Sequence, residues 1–137
     1  DRYIEITRPV TVKLWVSSTA PDTDFTAKLS DVYPDGRSML VLDGILRARH
    51  RESMETNVPL ERDKIYEIEI DLWATSLVFS PGHRMRVALS SSNAPRFEPN
   101  PNTGKPSGLD DQKEVATNTI YINAQHPSHI VVPIVRH

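Results

Sequence analysis

Hydrophobic and polar residues alternate with a period of two along most of this chain. In residues 10–16 the even positions are aliphatic and the odd positions are polar, except for Trp15. Such alternation is typical of a β-strand with one buried face. The same pattern recurs in further segments, and the chain closes with an apolar stretch: 25–30, 66–73, 84–89, 120–122 and 130–135.

Turn residues separate these segments. Residues 34–36, Pro-Asp-Gly, predict a hairpin because Asp and Gly tolerate the positive φ angles of tight turns. Residues 43–44, Asp-Gly, indicate a bulge or a second turn, and residues 81–82, Pro-Gly, precede another strand. No 12-residue window has a helical pattern with caps at both ends. About eight short strands favour an all-β jelly-roll sandwich, formed by residues 1–137 as one domain.

Composition limits the classes of partner. The 137 residues are 38% hydrophobic and 25% charged, which is ordinary for a globular domain. Lys and Arg number 16 against 18 Asp and Glu, so a net charge of -2 gives no attraction to nucleic acid or anionic membrane. No apolar run reaches the roughly 18 residues of a membrane span. Cysteine is absent, which slightly favours the cytoplasm but leaves the localisation open.

Two features suggest a relation to something larger. The chain begins at Asp1 without a start Met and reaches strand-like sequence at residues 3–6, so we expect it to be part of a longer protein. Residues 93–118 are rich in Pro, Asn, Gly and Asp and have almost no apolar periodicity. Loops of this length are uncommon in compact domains. The segment is either a mobile surface loop or a loop that orders against a missing domain.

The chain offers no nucleophile of the hydrolase kind. An α/β-hydrolase serine needs a Gly-x-Ser-x-Gly turn, and none of the five glycines supplies that spacing. The serines of residues 90–92 end a strand instead. His126 and His129 flank Pro127, which disfavours a helix, so they predict a polar turn before the last strand. His50 and His83 stand alone in the sequence. We therefore predict no catalytic residue and no cofactor.

Charged side chains suggest two structural roles. Asp22 and Asp24 are possible calcium ligands, but the loop has too few acids for six to eight oxygens, and a turn in which Asp accepts backbone N–H groups is favoured. Three arginines and three acids each recur with a spacing of two: Arg47, Arg49 and Arg51, and Glu67, Glu69 and Asp71. An anion-binding stripe is one interpretation. We favour cross-strand ion pairs, which would make these strands neighbours.

Two tryptophans break the alternation. Trp15 and Trp73 each lie on the otherwise polar face of a strand. A large aromatic side chain there is either covered by another layer of protein or offers a stacking surface to a partner or a sugar. We favour burial against a loop or a missing domain.

Several segments resemble the C-terminal domain of the X-Pro dipeptidyl-peptidase and cocaine-esterase (CocE/NonD) family. The similarity covers nearly the whole chain in order. The segments that carry it are Trp15–Leu29, Asp31–Arg37, Asp43–Arg49, Pro81–Val87, Ser90–Asn93, Pro95–Phe97, Asn100–Gly104 and His126–Ile130.

The resemblance implies an accessory role. Family members are serine hydrolases of esters or amides, whose Ser-Asp-His triad lies in a preceding α/β-hydrolase domain. Their C-terminal domain is a jelly roll similar to galactose-binding folds, which packs on the catalytic domain and helps to wall its cleft. No triad residue is present here to carry over. Candidate interface or ligand residues are Trp15, Trp73, Asn93, Arg96 and Phe97.

Alternatives to a structural domain of a hydrolase are a carbohydrate-binding module, with Trp15 or Trp73 as the platform, and a free-standing enzyme. The partner expected is the catalytic domain of the same polypeptide. First strands missing from the sandwich would leave an exposed sheet edge, through which homo-oligomers are possible.

Overall fold

The computed structural model describes residues 2–106 and 112–136. Within them the alternating segments form eight strands and one short 3-10 helix, Ala48–His50. The strands are β1 (Ile4–Ser18), β2 (Asp24–Val32), β3 (Ser38–Arg47), β4 (Tyr66–Phe79), β5 (Arg84–Ser90), β6 (Asn118–Tyr121), β7 (His129–Val131) and β8 (Ile134–Val135). None of the described residues forms a helix of the length and hydropathy needed to cross a bilayer.

The strands form two antiparallel sheets. In the larger sheet, β1 pairs with β4 along one edge and with β6, β7 and β8 along the other. The smaller sheet has the order β3-β2-β5. The long β1 therefore organises one layer, and β2 organises the other.

The core lies between the two sheets. The aliphatic even positions of β1, such as Val12 and Leu14, are buried, and so are Phe25, Ala27 and Leu29 of β2. Because side chains of a strand alternate between its faces, each sheet supplies one apolar face to this core. The two-layer all-β sandwich predicted from the alternation is confirmed. The galactose-binding-like label and the single-domain organisation stay predictions.

One side of the sandwich is closed by a close approach of two backbones. Gly44 of β3 lies against β4, and a Cβ atom there would be 2.5 Å from the carbonyl oxygen of Asp71. The regular pairing of Gly44 with Ala27 shows that residues 43–44 lie inside β3. The predicted bulge or turn at this position is wrong, because the glycine serves packing between strands and not chain reversal.

The turns predicted at residues 34–36 and 81–82 are confirmed. Gly36 has a φ of 92° in the hairpin between β2 and β3, and its N–H donates to the carbonyl oxygen of Tyr33. Gly82 has a φ of 82° in the turn that leads into β5. Both angles fall in the left-handed region that glycine adopts without steric cost. β5 ends at Ser90, as the serine run predicts.

Candidate functional site

Trp73 combines an exposed indole with an unusual backbone. Its side chain is 71% exposed, and its φ of 67° lies in the left-handed region although the residue belongs to β4. Pairing between β1 and β4 shifts between Pro9 and Thr11, so the β4 strand has an extra residue here. The N–H of Trp73 donates to Asp71 Oδ1 at 2.8 Å. This β-bulge aims a large aromatic side chain out of the regular sheet.

The loop after β5 brings the other candidate residues to the same area. Asp43 of β3 accepts a hydrogen bond from Asn93 Nδ2 at 3.1 Å and pairs with Arg96 Nε at 3.0 Å, both through Oδ2. The N–H of Phe97 donates to the carbonyl oxygen of Asn93. The Arg96 guanidinium lies 5.4 Å from the centre of the Phe97 ring. One carboxylate thus holds the loop that carries all three candidates.

Trp73, Arg96 and Phe97 line one concave surface, which we call the Trp73 groove. It has a volume of about 550 Å³, and its remaining lining is Asp43, Gly44, Ile45, Leu46, Glu69 and Asp71. A second hollow of about 450 Å³ shares Ile45, Leu46 and Phe97 and extends to Met54. Aromatic and aliphatic side chains therefore lie among charged side chains of both signs along this side of the sandwich.

A largely buried network of charges lies beside the second hollow, which Arg47 and Arg49 line. The Arg47 guanidinium donates to both oxygens of Asp24, at 3.0 and 3.1 Å. Asn100 Nδ2 donates to Asp22 Oδ2 and to Asp24 Oδ1, each at 2.9 Å. The backbone N–H of Arg49 donates to Asp22 Oδ1, and the Arg49 guanidinium donates through Nη1 to the carbonyl oxygen of Lys105. The network ties the long loop to the ends of β2 and β3.

The same network tests what the sequence predicts for Asp22 and Asp24. The Asp22 carboxylate accepts a backbone N–H, but the donor is Arg49, 27 residues further along the chain, and not a residue of a local turn; the carboxylate also faces the Arg49 guanidinium. Hydrogen bonding to Asp24 raises the pKa of Arg47 above its ordinary value, against the opposing effect of burial. Within residues 2–106 and 112–136, no group of three His, Cys, Asp or Glu side chains is placed to hold a metal.

The predicted pairing of the arginine and acidic stripes is wrong. β3 ends at Arg47, and Arg49 lies in the 3-10 helix, so the three arginines do not share a strand. β4, which carries the acids, belongs to the other sheet and pairs with β1. Glu69 accordingly pairs with Lys13 of β1 at 3.3 Å. The shared spacing of two indicated strand-like sequence but not which strands are neighbours.

Trp15 lies apart from the groove and is half-buried. The Trp15 and His126 rings pack in a T-shaped arrangement with 5.1 Å between their centroids, and the backbone N–H of Trp15 donates to Ser128 Oγ at 2.9 Å. Both partners belong to the turn before β7, where residues 126–129 were predicted to form a turn. Trp15 is therefore packed against a loop of this domain, whereas Trp73 is not.

One pair of side chains capable of acid–base chemistry, His83 and Asp31, was not predicted from the sequence. His83 Nδ1 lies 2.9 Å from Asp31 Oδ1, and both side chains are largely buried. The centre of the His83 ring lies 4.3 Å from that of Tyr33, which in turn lies under Arg37. Among the described residues no hydroxyl hydrogen-bonds to His83. Because 52 residues separate His83 from Asp31, no local motif could have revealed the pair.

Comparison with known proteins identifies the domain. Residues 4–131 match the family described as the X-Pro dipeptidyl-peptidase C-terminal non-catalytic domain. The chain belongs to this family. It is 49% identical over 135 residues to the cocaine esterase of Rhodococcus sp. (strain MB1 Bresler), an alignment that covers 97% of this chain and 24% of that protein.

Solved structures of related hydrolases contain a domain of the same fold. An α-amino acid ester hydrolase shares 30% identity at a TM-score of 0.91, covering 98% of this chain and 24% of that one. An aminopeptidase from a marine sediment archaeon, Thaumarchaeota archaeon, shares 28% identity at a TM-score of 0.92, covering 99% and 24%. The chain therefore spans about a quarter of the length of these relatives.

Proposed function

We propose that these residues form the C-terminal domain of a larger serine hydrolase of the acyl esterase type. In this role the domain docks on the catalytic domain through the Trp73 groove and helps to shape the active-site cleft. Membership of a non-catalytic family and the names of the more similar relatives support the proposal. An esterase is preferred to a peptidase because the 49% identical relative is named as an esterase, whereas the similar aminopeptidase shares only 28% identity.

The observation that carries the docking surface is the state of Trp73. An indole that is 71% exposed leaves a large apolar area in water. Its left-handed backbone costs roughly 1–2 kcal/mol for an L-residue, and such strain persists where surrounding structure or function holds it. Buried aromatic residues that fill a pocket of the partner commonly dominate binding energy. Trp73 has the properties of such an anchor, with Phe97 and Arg96 beside it.

The test uses the full-length enzyme that contains these residues. Trp73→Ala should weaken docking by about 2 kcal/mol, the loss typical of an interface anchor. We expect faster thermal inactivation of ester hydrolysis and a changed KM for an activated aryl ester. Val115→Ala is the matched control, because Val115 is 96% exposed and lies outside the groove. Equal inactivation rates for Trp73→Ala, Val115→Ala and the unaltered enzyme would contradict the proposal.

A carbohydrate site is the second candidate, and the acidic rim of the groove favours it. Glu69 and Asp71 line the groove that holds the exposed indole, and sugars bind where an aromatic platform lies beside hydrogen-bond acceptors. Titration of the 137-residue chain with mono- and oligosaccharides, monitored by tryptophan fluorescence, separates the two candidates. A saturable change at millimolar sugar that Trp73→Phe abolishes would favour the sugar site over the docking surface.

A further inference from the structure

The side of the sandwich opposite to the Trp73 groove is open. β5 lies at the edge of the smaller sheet, and its seven residues pair with β2 in an unbroken register. Within the described residues no strand pairs with the other edge of β5. A regular edge strand of this kind presents unpaired N–H and C=O groups to any extended segment that approaches it.

The apolar face of β5 is also incompletely covered. Val87 and Leu89 lie opposite Leu29 and Ala27, which are fully buried, yet both are only half-buried themselves, and Met85 is exposed. Beside them a hollow of about 140 Å³ runs between the sheets, lined mainly by aliphatic side chains: Val12, Leu14, Val87, Leu89, Ile120, Ile122 and Ile130, with Ser128 and His129. Apolar cavities of roughly this volume accept a molecule as large as benzene.

The outer face of β5 carries two arginines that form no ion pair with any described residue. Arg84 and Arg86 alternate with the apolar positions and so share the outer face, and Lys28 of β2 lies opposite the next residue on that face, Ala88. Asp43 of β3 lies opposite Lys28, but in the part of the chain that the structure describes no carboxylate forms an ion pair with Arg84 or Arg86. An acidic side chain on a neighbouring strand would lie within reach of both arginines.

We propose that the free edge of β5 is the acceptor site for one more antiparallel strand, whose side chains alternate between aliphatic and acidic. Its aliphatic side chains fill the hollow between the sheets, and its acidic side chains pair with Arg84 and Arg86. The occupant is an extended segment of the longer polypeptide, since the relatives are about four times the length of this chain. This site lies at the opposite edge of the smaller sheet from β3, so it is independent of the Trp73 groove.

The test uses the 137-residue chain and two seven-residue peptides of equal composition. One peptide alternates Val and Glu, and the other groups the valines before the glutamates. We expect the alternating peptide alone to shift the NMR signals of β5 amides and of the methyl groups of Val12 and Leu14. Arg84→Glu with Arg86→Glu should weaken binding at least tenfold, and a peptide that alternates Val and Lys should bind this variant instead.

A second variant tests the hollow without changing the charges. Ile122 is 80% exposed at the mouth of the hollow, so Ile122→Trp should keep the fold and block entry of the peptide side chains. The proposal is overturned if both peptides bind equally, or if the shifts lie outside β5 and the hollow. It is also overturned if β5 pairs with a second copy of this chain, seen as a concentration-dependent dimer in which the β5 edge amides become protected.

Discussion

Trp73 occupies a backbone conformation that glycine adopts freely and that tryptophan does not. We expect Trp73→Gly to be more stable than Trp73→Ala by about 1 kcal/mol, because glycine relieves the left-handed strain that alanine keeps. Both variants remove the exposed indole, so the difference between them isolates the backbone. Urea denaturation of the 137-residue chain measures it. A less stable Trp73→Gly variant would show that no strain is released at this position.

The buried pair of Arg49 and Asp22 makes a second prediction at the scale of residues. Arg49→Ala leaves the Asp22 carboxylate, which is fully buried, without its cation. Removing one partner of a buried pair costs about 3 kcal/mol or more. Arg62→Ala is the control, since Arg62 and Asp63 form an exposed pair expected to contribute about 0–1 kcal/mol. Similar unfolding free energies for both variants would refute a structural role of the network.

At the scale of elements, alternation predicted where strands lie but not how they pair. The period of two located β1, β2, β4 and β5, because burial of one face leaves that pattern in the sequence itself. Pairing depends on contacts between residues far apart in the chain. Arg47 therefore faces Asp24 on β2 and not the acids of β4, although the spacing of two is the same in both stripes.

Gly44 is a point at which the backbones of the two sheets approach closely. A Cβ atom at this position would meet the Asp71 carbonyl oxygen at 2.5 Å and a methyl group of Leu72 at 3.0 Å. We expect Gly44→Ala to destabilise the domain by about 3 kcal/mol, since β3 and β4 must move apart. Gly36→Ala is the comparison: its Cβ meets nothing within 4 Å, so only the roughly 1–2 kcal/mol of backbone strain applies.

The melting temperatures of Gly44→Ala and Gly36→Ala in the same buffer measure this difference in stability. A Gly44→Ala variant as stable as the unaltered chain would mean that the contact between β3 and β4 adapts without cost.

At the scale of the whole molecule, the candidate residues were predictable in part. Trp73 stood out because an aromatic residue interrupted a polar face. Arg96 and Phe97 came from the resemblance. Their assembly into one groove could not be predicted, because it depends on Asp43, which binds Asn93 and Arg96 of the long loop. Asp43 lies 50 residues before Asn93 and 53 residues before Arg96 in the sequence. The described part of that loop is bonded to its own domain, which neither interpretation of the sequence anticipated.

The isolated chain should lack esterase activity, and His83 gives that prediction a sharp test. His83 and Asp31 reproduce the base and carboxylate of a hydrolase triad, but a nucleophile must also contact the imidazole, and no hydroxyl of the described residues does. We expect the 137-residue chain to hydrolyse p-nitrophenyl acetate no faster than a His83→Gln variant. Both should show only the slow background of exposed imidazoles. Saturable turnover that His83→Gln removes would mean that this domain performs chemistry of its own.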